Sequence, residues 1–178
     1  MAAAQRRPEQ SRFWGWHPLT PEYADRLVAA SPVRPGDVVV DLGAGDGALT
    51  GALARAGCRV LAVELHPGRA SVLRETVDRS RVAVLELDIE ALRWPGHPFR
   101  VVANPPYAGI NALVRRLLAV RQLRSADLVV AEGAARGLLR RYAGRLEPGA
   151  RVPRRAFRNR PPGDACVLRI RGPSGPVR

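Results

Sequence analysis

The sequence predicts an α/β fold built on a mostly parallel, seven-stranded sheet with helices on both faces. Short apolar runs alternate with amphipathic segments along the chain, and repeated strand and helix signals are typical of a parallel sheet. The run "DVVVDLG" (37–43) indicates a strand buried in such a sheet, and "GALTGALARAG" (47–57) indicates the helix behind it. A chain of 178 residues, 46% of them apolar, suits one globular domain with a core.

The elements are predicted in chain order from these signals. The first helix opens with Thr20 as its N-cap and Pro21 at the first helical position. The predicted helices span 20–31, 47–57, 67–78, 110–120 and 134–143. The predicted strands span 37–43, 59–65, 82–88, 99–104, 126–132, 151–157 and 165–171. We expect a single domain over residues 13–171, with disordered ends at 1–12 and 172–178.

Composition excludes several kinds of protein. No apolar run is long enough to span a bilayer, and the start "MAAAQRRPEQSR" lacks the hydrophobic stretch of a secretory signal, so we expect a cytoplasmic protein. Cys58 and Cys166 have no metal-ligand spacing and are interpreted as small buried residues rather than as a disulfide. His17, His66 and His97 are equally scattered, and we expect no metal site.

Positive charge is concentrated in one part of the chain. All 29 basic residues are arginine. The part of the chain up to Ile110 contains 13 arginines and 12 acidic residues, whereas the part after Ile110 contains 16 arginines and only 4 acidic residues. Guanidinium groups match phosphate oxygens, so this imbalance favours a nucleic-acid partner over the alternative of a merely solvated surface. The candidate phosphate contacts are Arg115, Arg116, Arg140, Arg141, Arg151, Arg154, Arg155, Arg158 and Arg160.

Functional residues are expected where the strands stop, because ligands of open parallel sheets bind outside the carboxyl ends of the strands. The first predicted strand runs into "DLGAGDGALT", where Gly43, Gly45 and Gly47 let the backbone pass close to a ligand before a helix begins. Asp41 offers an acceptor beside this turn. A single glycine-rich turn is a weak signal, because Rossmann dehydrogenases share it.

Acids also end the next two predicted strands. Glu64 follows Asp41 by 23 residues, and a carboxylate there can accept both hydroxyls of a ribose. Asp88 ends the third strand, where it can meet an adenine amino group. Each acid alone is more typical of a turn or a surface, but three acids at three successive strand ends favour a nucleoside site.

The fourth predicted strand runs into Asn104-Pro105-Pro106-Tyr107, a segment with few backbone donors. The nitrogen lone pair of an exocyclic amine is delocalised into the aromatic ring, which makes the nitrogen a poor nucleophile. Hydrogen-bond acceptors at the two amino hydrogens help the nitrogen to pyramidalise and stabilise the positive charge that grows as it attacks a methyl donor. The Asn104 side chain and the rigid Pro105 carbonyl offer such acceptors, and Tyr107 can stack on a flat base. The alternative is an ordinary proline turn that ends a strand.

Four stretches together resemble a class I S-adenosylmethionine-dependent methyltransferase of the ribosomal RNA adenine dimethyltransferase family of Erm and KsgA. They are "DLGAGDGALT", "AVEL", "LELD" and "VVANPPY", in this order and spacing. The segments 128–141 and 152–165 resemble later parts of the Erm enzymes, which extends the resemblance over roughly 14–171. It implies a Rossmann-like fold, S-adenosylmethionine as cofactor, and direct methyl transfer. The Asn-Pro-Pro-Tyr motif alone is less specific, since DNA adenine and protein glutamine methyltransferases also use it.

The same resemblance implies a role for each matching residue. The implied cofactor-binding residues are Asp41, Gly43, Gly45, Glu64, Leu65, Asp88, Ile89 and Asn104. Among them, the two glycines would line the methionine part, Glu64 the ribose, and Asp88 with Ile89 the adenine. The implied catalytic residues are Asn104, Pro105, Tyr107 and Phe157. The first two would hold the target amino group, and the two rings would cover the two faces of a flipped adenine.

The chain departs from the family pattern in three places. "FWGWHPL" stands where the family usually has a glutamine-asparagine pair. One interpretation is that Trp14, Trp16 and His17 cover the cofactor; the alternative is that the two tryptophans pack on the sheet. The late motif differs at Asn159, Gly163 and Ala165. We also expect no C-terminal helical domain of the kind that typical members add, so that the arginines over 111–160 supply the RNA affinity.

These observations predict a monomeric adenine N6-methyltransferase that acts on 23S ribosomal RNA and confers macrolide, lincosamide and streptogramin resistance. The closest alternative is a KsgA-type enzyme of the small ribosomal subunit. A non-catalytic RNA-binding assembly factor is a second alternative, although such a protein need not keep an intact donor site. A protein glutamine methyltransferase is a third, which the basic second half of the chain disfavours.

Overall fold

The computed structural model describes residues 17–173, which form one seven-stranded sheet covered by helices. The strands are β1 (Val38–Leu42), β2 (Arg59–Val63), β3 (Val82–Leu85), β4 (Phe99–Ala103), β5 (Leu123–Ala131), β6 (Leu146–Val152) and β7 (Ala165–Arg171). The helices are α1 (Pro21–Ala30), α2 (Ala48–Arg55), α3 (Pro67–Thr76), α4 (Ile110–Leu118) and α5 (Glu132–Arg141). Short 3-10 turns at Ile89–Ala91 and Arg154–Ala156 follow β3 and β6.

The strand order is β3-β2-β1-β4-β5-β7-β6. Strands β1 to β5 pair in parallel, whereas β7 is antiparallel to both of its neighbours, β5 and β6. The mostly parallel sheet predicted from the sequence is therefore confirmed. From β1 the chain continues to β2 and β3 on one side, and from β4 it continues to β5 on the other side. At such a reversal of direction a crevice opens between the carboxyl ends of the two central strands, β1 and β4.

Two apolar layers form the core, one on each face of the sheet. Successive side chains of a buried strand point to opposite faces, so Val39 belongs to the first layer and Val40 to the second. The first layer includes Leu53 of α2, and the second includes Leu117 of α4 and Leu138 of α5. Helices therefore cover both faces of the sheet.

The helix starts depend on capping residues. The predicted start of α1 is confirmed, with Pro21 at the first turn and the Thr20 hydroxyl accepting a backbone N–H of that turn at 3.4 Å. Helices α2 and α4 begin after Gly47 and Gly109, whose φ angles of 89° and 82° are left-handed. Helix α3 begins after His66, whose ring accepts two backbone N–H groups. His66 therefore caps a helix.

Strand β6 is predicted wrongly. The sequence pattern predicts it at 151–157, whereas it spans Leu146–Val152 in the structure and is followed by a 3-10 turn and Phe157. The misleading signal is Pro148-Gly149, which argues against a strand. Proline is tolerated here because β6 is the edge strand and its pairing with β7 shifts register between Pro148 and Arg151.

Some predictions fall on the chain ends. Residues 1–16, with Trp14 and Trp16, and 174–178 lie outside the described residues. Within 17–173, no helix is both long and apolar enough to cross a bilayer. In the same range, no group of three or more His, Cys, Asp and Glu side chains is arranged to hold a metal ion. Cys58 is buried, Cys166 is half-buried, and both thiols are free.

Candidate active site

A cavity of about 490 Å³ opens at the carboxyl edge of the sheet, beside the ends of β1, β2 and β4. It brings together all eight residues that the resemblance assigns to the cofactor. They are Asp41, Gly43, Gly45, Glu64, Leu65, Asp88, Ile89 and Asn104. The loops after four successive parallel strands therefore converge on one site, as the topology of the sheet requires.

The loop after β1 forms one wall of this cavity. Gly43 and Gly45 have left-handed φ angles of 72° and 61°. A Cβ atom on Gly43 would lie 3.0 Å from Cδ of Pro106, so glycine lets this loop approach the segment after β4. The N–H groups of Gly43 and Ala44 both donate to the Val63 carbonyl at 2.8 and 2.9 Å. Strand β2 thus fixes the loop in place.

Asp41 lies at the base of the cavity and is 1% exposed. Burial raises the pKa of its carboxyl from 3.8 to about 7, although the Thr50 hydroxyl, which donates to Oδ2 at 2.7 Å, opposes the rise. The nearby Glu64 carboxylate raises this pKa further. Asp41 therefore changes charge near neutral pH, and a cation in the cavity would favour its ionised form.

Glu64 is also buried, at 3% exposure, but its carboxylate is heavily hydrogen-bonded. Oε2 accepts the N–H of Gly45 at 2.8 Å, and Oε1 accepts the N–H of His66 at 2.8 Å. Arg69 donates to Oε1 through Nη2 at 2.8 Å and through Nε at 3.2 Å. Oε2 therefore keeps a lone pair for a ribose hydroxyl, whereas a hydroxyl at Oε1 has to compete with Arg69. Arg69 is a site residue that was not predicted from the sequence.

The adenine side of the cavity is partly apolar. Leu65 is 43% exposed and lines the cavity together with Ile89. The Asp88 carboxylate accepts the N–H of Glu90 at 2.8 Å and so caps the 3-10 turn after β3. This turn offers an apolar surface next to an acceptor, the combination that a flat purine with an amino group needs.

Arg116 holds the same turn from the other side. It was predicted as an RNA contact, but its guanidinium donates to the Ile89 carbonyl at 2.7 Å and to the Leu92 carbonyl at 3.0 Å. It also lies 5.2 Å from the ring centroid of Trp94. The structure therefore corrects the picture of an outward-facing cation, because these contacts direct the Arg116 guanidinium into the fold.

Asn104 lies on the rim of the cavity with its amide oriented by the backbone. Its Nδ2 donates to the His17 carbonyl at 2.7 Å. The side-chain oxygen Oδ1 is then the group that can accept a hydrogen bond from a ligand. Pro105 is buried, and Pro106 lines the cavity. The predicted acceptor thus faces the same space as the three acids.

Tyr107 is half-buried, and its hydroxyl has no hydrogen-bond partner among the described residues. Burial raises the pKa of this hydroxyl to about 12, so the side chain is neutral at physiological pH. Its ring centroid lies 5.6 Å from that of the His17 ring, at an interplanar angle of 33°. The aromatic surface of Tyr107, rather than its hydroxyl, is the part suited to a ligand.

The structure corrects the prediction that Phe157 covers the second face of a base. Phe157 is 2% exposed and belongs to the core beneath the site, where it forms a β-bridge with Leu19. Its ring meets His17 edge-on, with 6.4 Å between the ring centroids. A ring buried in this way offers no free face to a base. The aromatic side chain between Phe157 and Tyr107 is His17.

The arginines predicted to contact RNA fall into two groups. Arg158 forms an ion pair with Asp46 of the loop after β1, Arg154 donates to the Pro161 carbonyl, and Arg151 pairs with Asp164 and Glu132. Arg141 lies over the Tyr142 ring. The remaining side chains are exposed and have no hydrogen bond or ion pair with any other described residue; they are Arg115, Arg140, Arg155 and Arg160. Their roles stay predictions.

Sequence comparison matches residues 19–157, more than three quarters of the chain, to the family described as "Ribosomal RNA adenine dimethylase". The chain belongs to this family. The resemblance stated from the motifs is therefore confirmed, and the match includes the glycine loop, the three acids and the Asn-Pro-Pro-Tyr segment.

Curated relatives carry related names. An rRNA methyltransferase of Streptomyces thermotolerans is 37% identical over 84% of this chain and 54% of its own length. An rRNA adenine N-6-methyltransferase of Bacillus licheniformis is 31% identical over 73% of this chain and 47% of its own length. A ribosomal RNA small subunit methyltransferase A of Mycobacterium bovis is 36% identical over 71% of this chain and 41% of its own length. The chain spans about half the length of these relatives.

Solved structures agree with the family. The crystal structure of the 23S rRNA methyltransferase ErmE matches with a TM-score of 0.78 and 27% identity, over 88% of this chain and 70% of that chain. A dimethyladenosine transferase of Plasmodium falciparum has a TM-score of 0.74 at 22% identity, over 87% of this chain and 63% of that chain, which supports the fold. The class I methyltransferase fold is thereby confirmed for the ribosomal RNA adenine dimethylase family member described here.

Proposed function

We propose that this protein transfers a methyl group from S-adenosylmethionine to the exocyclic amino group of an adenine in 23S ribosomal RNA. Family membership supports the reaction type, and the similarity to ErmE supports the large ribosomal subunit as the source of the substrate. The 16 arginines after Ile110, against 4 acids, suit a polyanionic partner.

The observation that carries this proposal is the shared cavity of Asn104 and the acids Asp41, Glu64 and Asp88. An amine held by Asn104 faces a donor bound among the acids. Direct transfer between two ligands needs this arrangement, because the reacting atoms must meet without an intermediate on the protein.

The cavity fits the cofactor in size and chemistry. Its volume of about 490 Å³ lies within the range of small-molecule sites. Oε2 of Glu64 offers an acceptor for a ribose hydroxyl, Leu65 and Ile89 suit the adenine, and Asp41 suits the positively charged methionine end. When bound, S-adenosylmethionine supplies an electrophilic methyl group on a cationic sulfur.

The protein's own contribution is to hold and polarise the amine. Oδ1 of Asn104 accepts one amino hydrogen and draws the nitrogen lone pair out of conjugation, and this bond strengthens as positive charge grows on the nitrogen. The His17 carbonyl keeps the amide in that orientation at 2.7 Å. Tyr107 contributes a neutral aromatic surface for the base. No general base is needed, because the methylated amine is acidic enough to lose its proton to solvent.

A second candidate function is methylation of the small ribosomal subunit. Ribosomal RNA small subunit methyltransferases of Mycobacterium and Methanosarcina match this chain at 35–38% identity, close to the 31% of the rRNA adenine N-6-methyltransferase of Bacillus licheniformis. Both candidate reactions methylate ribosomal RNA, so RNA selection is the point on which the two candidates differ.

The test is methyl transfer from a labelled donor to protein-free 23S and 16S RNA, followed by mapping of the modified base. We expect label in an adenine of the peptidyl-transferase loop of 23S RNA, where unstacking costs least. A sensitive bacterium that expresses the chain should tolerate erythromycin, and the Asn104→Ala variant should give no tolerance. Label confined to two adjacent adenines near the 3′ end of 16S RNA would instead establish the small-subunit function.

A further inference from the structure

The ring of His17 lies against the ring of Tyr107, the side chain on which a base is proposed to stack. The two ring centroids are 5.6 Å apart. A base between the rings requires a separation of about 7 Å, twice the distance of about 3.5 Å at which carbon atoms make contact. No base fits between His17 and Tyr107 as they lie, so an adenine that stacks on this side of Tyr107 requires the His17 ring to move.

The backbone of His17 and its ring are held by different contacts. The His17 carbonyl accepts a hydrogen bond from Nδ2 of Asn104. The next two residues contact the segment after β6. The Pro18 carbonyl accepts the N–H of Arg158 at 2.9 Å, and Leu19 forms a β-bridge with Phe157. Among the described residues, the ring forms one hydrogen bond, between Nδ1 and the exposed Asn159 Oδ1 at 3.2 Å, and ring contacts with Tyr107 and Phe157. Side-chain rotation can therefore move the ring without disturbing the backbone that orients Asn104.

We propose that His17 is the second aromatic wall of the base site. Its ring covers Tyr107 in the absence of RNA, leaves that face when the target adenine enters, and packs on the opposite face of the base. This inference rests on the proposed function, because it concerns an adenine held at Asn104. It gives His17 the role that the sequence analysis expected of Phe157, whose ring is buried.

Asn159 links this movement to the RNA. It lies between Arg158 and Arg160, in the arginine-rich segment after β6. The hydrogen bond to Asn159 holds the His17 ring in its covering position. Contacts of RNA with this segment would compete for the Asn159 side chain, so arrival of the substrate favours release of the ring.

The experiment compares His17→Ala and His17→Phe with the wild type, using a 23S RNA hairpin that contains the peptidyl-transferase loop. Both variants keep the backbone carbonyl that orients Asn104. His17→Ala should lower kcat/KM for the RNA by about 5- to 150-fold, the loss expected from one base-stacking partner. His17→Phe should restore kcat/KM to within a few fold of the wild type. Asn159→Ala should lower KM for the RNA, because the ring is no longer held. Cofactor affinity, measured by calorimetry, should stay unchanged in all three.

Three results would overturn the inference: a fully active His17→Ala variant, a His17→Phe variant as impaired as His17→Ala, or a loss of cofactor affinity that matches the loss of activity. The last would assign the ring to the cofactor instead. A wild-type protein that methylates no adenine in either ribosomal RNA would overturn the proposed function and this inference together. An active wild type with an equally active His17→Ala variant would overturn the inference alone.

Discussion

Replacing Asp41 by asparagine isolates the electrostatic cost of burying a carboxyl group at the base of the cavity. The pKa of Asp41 is about 7 in the folded protein, against an ordinary 3.8. A raised pKa means that the folded state binds the proton more tightly than the unfolded state does. The stability that the group contributes is therefore complete below pH 3.8 and is lost as the pH rises to about 7.

The difference between the two pKa values corresponds to roughly 4 kcal/mol, taken as an upper bound. Asparagine cannot ionise but can still accept the hydrogen bond that Thr50 donates to Asp41 at 2.7 Å. The free energy of unfolding of Asp41→Asn should therefore match that of the wild type near pH 4. It should exceed the wild-type value by up to about 4 kcal/mol at pH 8.

Urea-induced unfolding of the ligand-free protein, followed by circular dichroism at half-unit steps from pH 4 to 8, measures this difference directly. Thr50→Val provides a second arm. Removal of the hydroxyl that lowers the folded-state pKa of Asp41 should extend the wild-type decline in stability to higher pH, while its onset near pH 3.8 stays unchanged. A difference between wild type and Asp41→Asn that stays constant over this range would refute the reasoning, because Asp41 would then not titrate there.

Three further predictions separate the cofactor, the base and the RNA surface. Glu64→Gln should weaken S-adenosylmethionine binding by about 1.5–3 kcal/mol, whereas Tyr107→Ala should leave that binding intact and reduce methyl transfer. Calorimetry in which Tyr107→Ala loses the cofactor and Glu64→Gln keeps it would contradict both roles. Replacing Arg155 and Arg160 together by glutamine should flatten the slope of the logarithm of the RNA-binding constant against the logarithm of salt concentration. The expected change is about 0.7–0.9 for each phosphate that is no longer neutralised. An unchanged slope would mean that these two charges are solvated and do not contact RNA. Arg116→Ala should lower the free energy of unfolding by about 1–3 kcal/mol, since the Arg116 guanidinium donates hydrogen bonds to backbone carbonyls. It should leave the salt dependence of RNA binding unchanged. A weaker salt dependence would instead indicate that Arg116 contacts RNA.

The sequence predicted the elements and the position of the cavity because both depend on local patterns. Strand β7 was placed at 165–171, as observed, since its sequence "ACVLRIR" is largely apolar. The acids Asp41, Glu64 and Asp88 converge because the carboxyl ends of parallel strands meet at one edge. Strand β6 was misplaced because its Pro148-Gly149 pair conceals an edge strand.

What the sequence could not predict depends on contacts between distant segments. His17 is 87 residues from Asn104, and Arg158 is 112 residues from Asp46, so no periodicity links these pairs. Burial was equally hidden for Phe157, whose aromatic ring suits a core as well as a base. Arg69 was within reach of inference, since it lies five residues after Glu64 in the first turn of α3, but a single arginine in a predicted helix gives no signal of its own.

The most direct test of the central claim is mass spectrometry of nucleosides from 23S RNA treated with the protein and isotopically labelled S-adenosylmethionine. The wild type should yield labelled N6-methyladenosine, and Asn104→Ala should yield none, since the acceptor for the amine is removed. Label on another base or on protein, or an Asn104→Ala variant as active as the wild type, would contradict the account.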